Sequence, residues 1–118
     1  ADSRRRAPEA IDTALVNARV VAIVAPSTGT AWLSDPLHGD QSDGPSASQL
    51  PAVSGYPHLT VPMGLIGGLP AGLSFIGPKW SDARLLELGF AYEQASHARE
   101  KPDYRPTVDA GAGIEGVR

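Results

Sequence analysis

The chain contains no cysteine, which excludes disulfides, thiol catalysis and cysteine-based zinc sites. Lysine is nearly as scarce, with Lys79 and Lys101 alone. No apolar run approaches the ~20 residues that a helix needs to cross a bilayer. Positive charge is also lacking: the formal net charge is -3, and Arg4-Arg5-Arg6 is the one basic cluster. Such a balance gives no electrostatic footprint for nucleic acid or an anionic membrane, so neither is an expected partner. The three arginines read as a solvated, frayed end. No apolar segment follows them, so they do not open a secretory signal, and cytoplasm is the expected compartment. The first residue is Ala1 rather than Met, which suits a processed, trimmed or truncated product.

What is present is globular. The 118 residues are 42% hydrophobic and 19% charged, enough for one domain with a modest core. Thirteen glycines and eleven prolines make the chain rich in turns. Two short apolar runs, residues 56–64 and 68–77, are punctuated by proline and glycine and flank Gly67-Gly68. They predict a β-hairpin, because Pro62 and Pro70 each remove a backbone donor that a helix needs.

Other elements follow from periodicity. Residues 8–17 predict a helix with Pro8 in its first turn and Ile11, Ala14, Leu15 and Ala18 as its buried stripe. The continuous apolar run at residues 20–25, halted by Pro26, predicts a strand covered on both faces. Residues 27–48 read as a long loop anchored by Trp32 and Leu33, and loops of that length are commonly functional or disordered. Ser46 or Ser48 is placed to cap a short helix before Gly55, with Pro51 limiting it to its first turn. A final helix is predicted from the cap Ser81 to about Ala98, with Leu85, Leu88, Tyr92 and Ala95 inward, Leu86 and Phe90 widening that face, and Glu93 and His97 paired outside. Leu59, Val61, Leu73, Phe75, Leu85, Leu88 and Tyr92 are expected in one cluster. Residues 1–102 form the expected folded segment, and residues 103–118 the expected disordered tail.

Candidate chemistry is sparse. His38 and Asp40 lie two apart in the loop, but His58 and His97 share no ligand spacing with them, so no metal site is expected. Ser27, Ser54 and Ser74 lie near predicted strand ends, with His58, Asp40 and Asp43 as conceivable triad partners. No serine sits in a Gly-x-Ser-x-Gly elbow, so all three read as structural. Lys79, between Pro78 and Trp80, reads as a charged residue in an exposed turn. No catalytic residue is nominated.

Val24-Ala25-Pro26-Ser27, then Ala52-Val53-Ser54-Gly55-Tyr56-Pro57, then the hairpin, then residues 85–96 follow one another in an order that resembles the carboxyl-terminal end of the amidase signature family, the Ser-Ser-Lys amide hydrolases. The resemblance runs from about residue 10 to residue 102. It implies an α/β fold: part of a mixed sheet built as helix, buried strand, long loop, hairpin and helix. It implies no cofactor, and hydrolysis of a carboxamide to carboxylate and ammonia by an intact relative. The family's serines and lysine lie upstream of this region. The chain has no Gly-Gly-Ser-Ser-Gly run, and both of its lysines follow the hairpin, so the chain is expected to lack the catalytic machinery and to be inactive alone. By the same resemblance Trp32, Asp40 and Asp43 are expected in the wall of the substrate pocket. The expected partner is the missing amino-terminal part of the amidase or an oligomer partner, with a small amide as substrate only in the intact enzyme. The alternative from another class is a non-catalytic interaction module, or a truncated gene relic, that pairs through an exposed strand edge.

Overall fold

One hairpin sets both faces of the sheet. In the computed structural model, which describes residues 2–40, 44 and 46–104, strand β2 (His58–Ile66) turns at Gly67-Gly68 into β3 (Leu69–Ile76). Both turn glycines have positive φ, 58° and 83°. A two-residue turn with that backbone matches the right-handed twist of the strands it joins. Leu59 pairs with Phe75 and Val61 with Leu73, so these four share one face. His58, Thr60, Ser74 and Ile76 share the other. A bulge between Pro62 and Gly64, where φ is 132°, takes up one extra residue of β2.

Strand β1 (Ile23–Pro26) pairs antiparallel with β3, giving the order β1-β3-β2. The apolar run at residues 20–25 therefore supplies an edge strand, and Val24 is 51% exposed. Pro70 is tolerated in β3 because β1 reaches no further than Leu73, leaving β3 with one neighbour at that end.

Helices cover the two faces unequally. Helix α3 (Asp82–Ser96) lies on β2 and β3. Val61, Phe75 and Leu85 are buried there against Leu59, Leu73, Leu88 and Tyr92, the cluster expected from the sequence. The Phe75 and Tyr92 rings meet edge to face, with centroids 6.0 Å apart. Leu86 and Phe90 do not widen this contact: Phe90 is 65% exposed. They stand one position round the helix from Leu85 and Gly89, the residues buried on this helix. Glu93 and His97 are joined through the backbone, His97 N–H donating to the Glu93 carbonyl.

Helix α1 (Asp2–Ala18) begins six residues before the expected start. Pro8 thus lies inside it, and the first turn, expected to fray, carries exposed Asp2–Arg5 and Asp2–Arg6 pairs. Its buried residues are Ala7, Ile11 and Leu15, whereas Ala14 and Ala18 face solvent. Ile11 and Leu15 pack on Ile76, together with Ile23, Ala47 and Tyr56. Helix α2 (Gln49–Ser54) continues past Pro51, because a proline in the first turn forfeits no intrahelical bond. It stops at Gly55, in the left-handed region at φ 73°. Of the expected tail, residues 105–118 lie outside the described residues.

Candidate functional site

The sheet face opposite α3 carries a line of polar side chains where a second apolar layer could have been. Thr60 is paired with Ser74 across β2 and β3, His58 lies two residues before Thr60 on the same face, and Ser27 follows the end of β1. Ser74 is fully buried. Its Oγ donates to Ser27 Oγ at 2.8 Å and lies 2.6 Å from His58 Nε2. Ser27 Oγ in turn donates to Thr60 Oγ1 at 3.2 Å. A serine hydroxyl has one proton, and Ser74 spends it on Ser27, so His58 Nε2–H is the donor to Ser74. The neutral imidazole is thereby held as the Nε2–H tautomer, with Nδ1 left as an acceptor. Gly72 makes room for this arrangement: a Cβ there would stand 2.8 Å from Thr60 Cγ2 and 2.9 Å from Ser27 Oγ. The backbone supports it too, since Ser27 N–H donates to the Gly72 carbonyl at 2.8 Å.

This network joins residues from all three strand segments but does not assemble a Ser-His-Asp triad. Ser74 is out of reach of any substrate, and no carboxylate hydrogen-bonds His58 among the described residues. Asp40, a conceivable partner, accepts instead from Trp32 Nε1 at 3.3 Å. Ser54 is structural: its Oγ donates to the Pro51 carbonyl and accepts from Tyr56 N–H, both at 3.1 Å. Lys79 is exposed and lies over the Trp80 ring, 5.3 Å from its centre.

The long loop organises itself around Asp35, a residue that the sequence analysis did not single out. One carboxylate oxygen accepts from the Leu37 and His38 amides at 2.8 and 3.1 Å, and the other is 2.7 Å from His38 Nδ1. The His38 hydrogen bond, then the two amides, hold the Asp35 carboxyl below its usual value. His38 is therefore engaged by Asp35 rather than gathered with Asp40. Among the described residues no three His, Asp or Glu side chains converge as metal ligands. Of the three expected pocket-wall residues, Trp32 and Asp40 meet through the hydrogen bond above, and Asp43 lies outside the described residues. Trp32 does not anchor the loop in a core: it is 45% exposed, and Leu33 is more so. The loop is tied down at its ends instead, where Ala47 N–H donates to the Ser27 carbonyl.

No protein-family model matches the chain. It is 42% identical over 62 residues to a probable amidase of Arabidopsis thaliana, covering 52% of this chain and 12% of that protein. It is 31% identical over 103 residues to a glutamyl-tRNA(Gln) amidotransferase subunit of Symbiobacterium thermophilum, covering 80% of this chain and 20% of that protein. The solved peptide amidase of Stenotrophomonas maltophilia superposes with a TM-score of 0.74 at 49% identity, covering 86% of this chain and 20% of the amidase. The chain thus spans between 12% and 20% of the length of these relatives.

Proposed function

The chain belongs to the amidase signature family over the segment it shares with these relatives, and from that premise we propose that it is the carboxyl-terminal portion of an amidase converting a carboxamide to a carboxylate and ammonia. In the intact enzyme a serine outside this segment attacks the amide carbonyl, ammonia leaves, and water hydrolyses the resulting acyl-enzyme. The segment's share in that chemistry is architectural. It supplies three strands of the sheet, the α3 layer that supports them, and a stretch of pocket wall carrying Trp32, Asp40 and Asp43. The hydrogen bond from Trp32 to Asp40 would fix the indole plane and hold the carboxylate toward one side of that wall.

The observation that carries the reading is the superposition on a peptide amidase at 49% identity over 86% of this chain, within one fifth of the amidase's length. The site geometry agrees with a supporting role, because in the Ser74–His58 pair the hydroxyl is sealed from solvent while the imidazole is exposed. An ammonia-release assay on the purified chain, with aliphatic, aromatic and peptide amides, tests it. The expected result is no turnover. Turnover abolished by Ser27→Ala or Ser54→Ala would place a nucleophile in this chain and defeat the proposal.

A further inference from the structure

Trp32 and Asp40 are brought together by hydrogen-bonded closures set one inside another. Innermost, the Asp35 carboxylate engages the Leu37 and His38 amides and the His38 ring. Around that, Gly39 N–H donates to the Asp35 carbonyl at 2.9 Å. Gly39 itself lies at φ 78°, a backbone that suits glycine, and turns the chain back. Outermost, Trp32 Nε1–H donates to Asp40 Oδ1 at 3.3 Å. The indole N–H lies in the ring plane, so this bond leaves both ring faces outside the contact, and Trp32 is 45% exposed. Asp40 Oδ2 has no hydrogen bond or ion pair among the described residues. An open indole face beside a carboxylate with an unused oxygen fits an organic cation. The ring attracts it through its quadrupole and the carboxylate through its charge.

The charge of the loop agrees. Residues 27–48 carry Asp35, Asp40 and Asp43 and no lysine or arginine. Asp35 is already matched by His38, 2.7 Å away. Among the described residues, no lysine or arginine comes within ion-pairing distance of Asp40. We propose that Trp32 and Asp40 form a subsite for a cationic group on the amide substrate, with Asp40 as the residue that selects the charge. A guanidinium suits it, since its plane stacks on the indole while its N–H fork meets Asp40 Oδ2. The assignment rests on the proposed function, which sets this loop in the pocket wall, and adds to it the substrate class: amides that carry a basic side chain.

The test is a nitrogen-15 NMR titration of the 118-residue chain with acetyl-argininamide, beside its neutral counterpart acetyl-norleucinamide. The signal read is the Trp32 indole N–H, assigned by its loss in Trp32→Phe. The expected result is a saturating shift of that signal with the arginine probe, and a much smaller one with the norleucine probe. Asp40→Asn keeps an oxygen that can accept from the indole and removes the charge. It should weaken the arginine probe by about fivefold, the scale of an exposed ion pair with a cation over an aromatic ring. Raising the salt to about 1 M should weaken the wild-type response in the same direction. A Trp32 signal that does not move overturns the proposal, as does one that moves equally with both probes or is indifferent to Asp40→Asn. The titration reads binding and not ammonia release, so its failure strikes this subsite and leaves the amidase reading in place. An intact enzyme without amidase activity would instead strike that reading and leave the binding result standing.

Discussion

Gly89 of α3 is seated directly on Leu59 of β2, so closely that a Cβ at position 89 would overlap the Leu59 side chain and stand 3.2 Å from Val61 Cγ1. This contact sets the distance between the helix and the sheet. Glycine inside a helix costs about 0.5–1 kcal/mol relative to alanine, so Gly89→Ala would gain that much if space allowed. Overpacking a core costs about 1–3 kcal/mol, and β-branched Val61 has little rotamer freedom with which to yield. The clash wins. Gly89→Ala should lower stability by about 1 kcal/mol or more in denaturant unfolding, with a chemical-shift change at Leu59. A gain in stability would mean that α3 floats above the sheet.

Ser74 predicts a spectroscopic signature. Because it donates to Ser27, His58 must present Nε2–H to it, and nitrogen-15 spectra of the imidazole at about pH 8, well above the ordinary histidine pKa, should show the Nε2–H tautomer with a slowly exchanging proton. Ser74→Ala removes the acceptor and should return His58 to a rapidly exchanging tautomer mixture. It also leaves Ser27 without its donor, at a cost of about 1–3 kcal/mol if no water replaces the hydroxyl. A wild-type ring dominated by the Nδ1–H tautomer would contradict the assigned network.

How much of this is legible in the sequence depends on where local rules end. The hairpin is readable because Gly67-Gly68 and the two prolines leave the backbone few alternatives, and the α3 cluster follows from spacing. The polar network is not. Counting outward from Ile66 and Leu69 without the bulge would pair Ser74 with Val61, and a slip of one residue exchanges the two faces of a strand. Gly64 is the available signal for the bulge that restores Thr60 as the partner of Ser74. The edge position of β1 is hidden for another reason. An apolar run announces that it needs cover, but not whether that cover lies in the same chain. The start of α1 escapes because Pro8 suits a first turn and reads as one, whereas Asp2 sits near the positive end of a longer helix. Asp35 escapes because its value lies in a turn closed by its own side chain, which hydropathy does not register.

Tyr56 and Asp12 give a prediction in pH. The phenol donates to Asp12 Oδ2 at 2.7 Å and joins the start of the hairpin to α1. That hydrogen bond, then desolvation and the aspartate's charge, raise the Tyr56 pKa above its ordinary 10.0. A folded-state pKa above the unfolded one means that the contribution is fully present below about pH 10 and is lost as pH rises through the folded value. Absorbance at about 295 nm, where tyrosinate absorbs, should therefore show a Tyr56 step at high pH that Asp12→Asn moves to lower pH. A tyrosinate titration that Asp12→Asn leaves unchanged would remove the hydrogen bond from the account.

The central claim is that this chain is a working segment of an amidase, and exchange in cis tests it most directly. Replacing the matching fifth of the Stenotrophomonas maltophilia peptide amidase with this chain places its residues where the superposition puts them. The measurement is kcat/KM for ammonia release from a peptide amide by the exchanged enzyme, beside the parent and the isolated chain. The account predicts that the exchanged enzyme keeps activity within about tenfold of the parent, a loss under about 1.4 kcal/mol of transition-state stabilisation, while the isolated chain shows none. An exchanged enzyme that folds with the parent's thermal stability and releases no ammonia would contradict it.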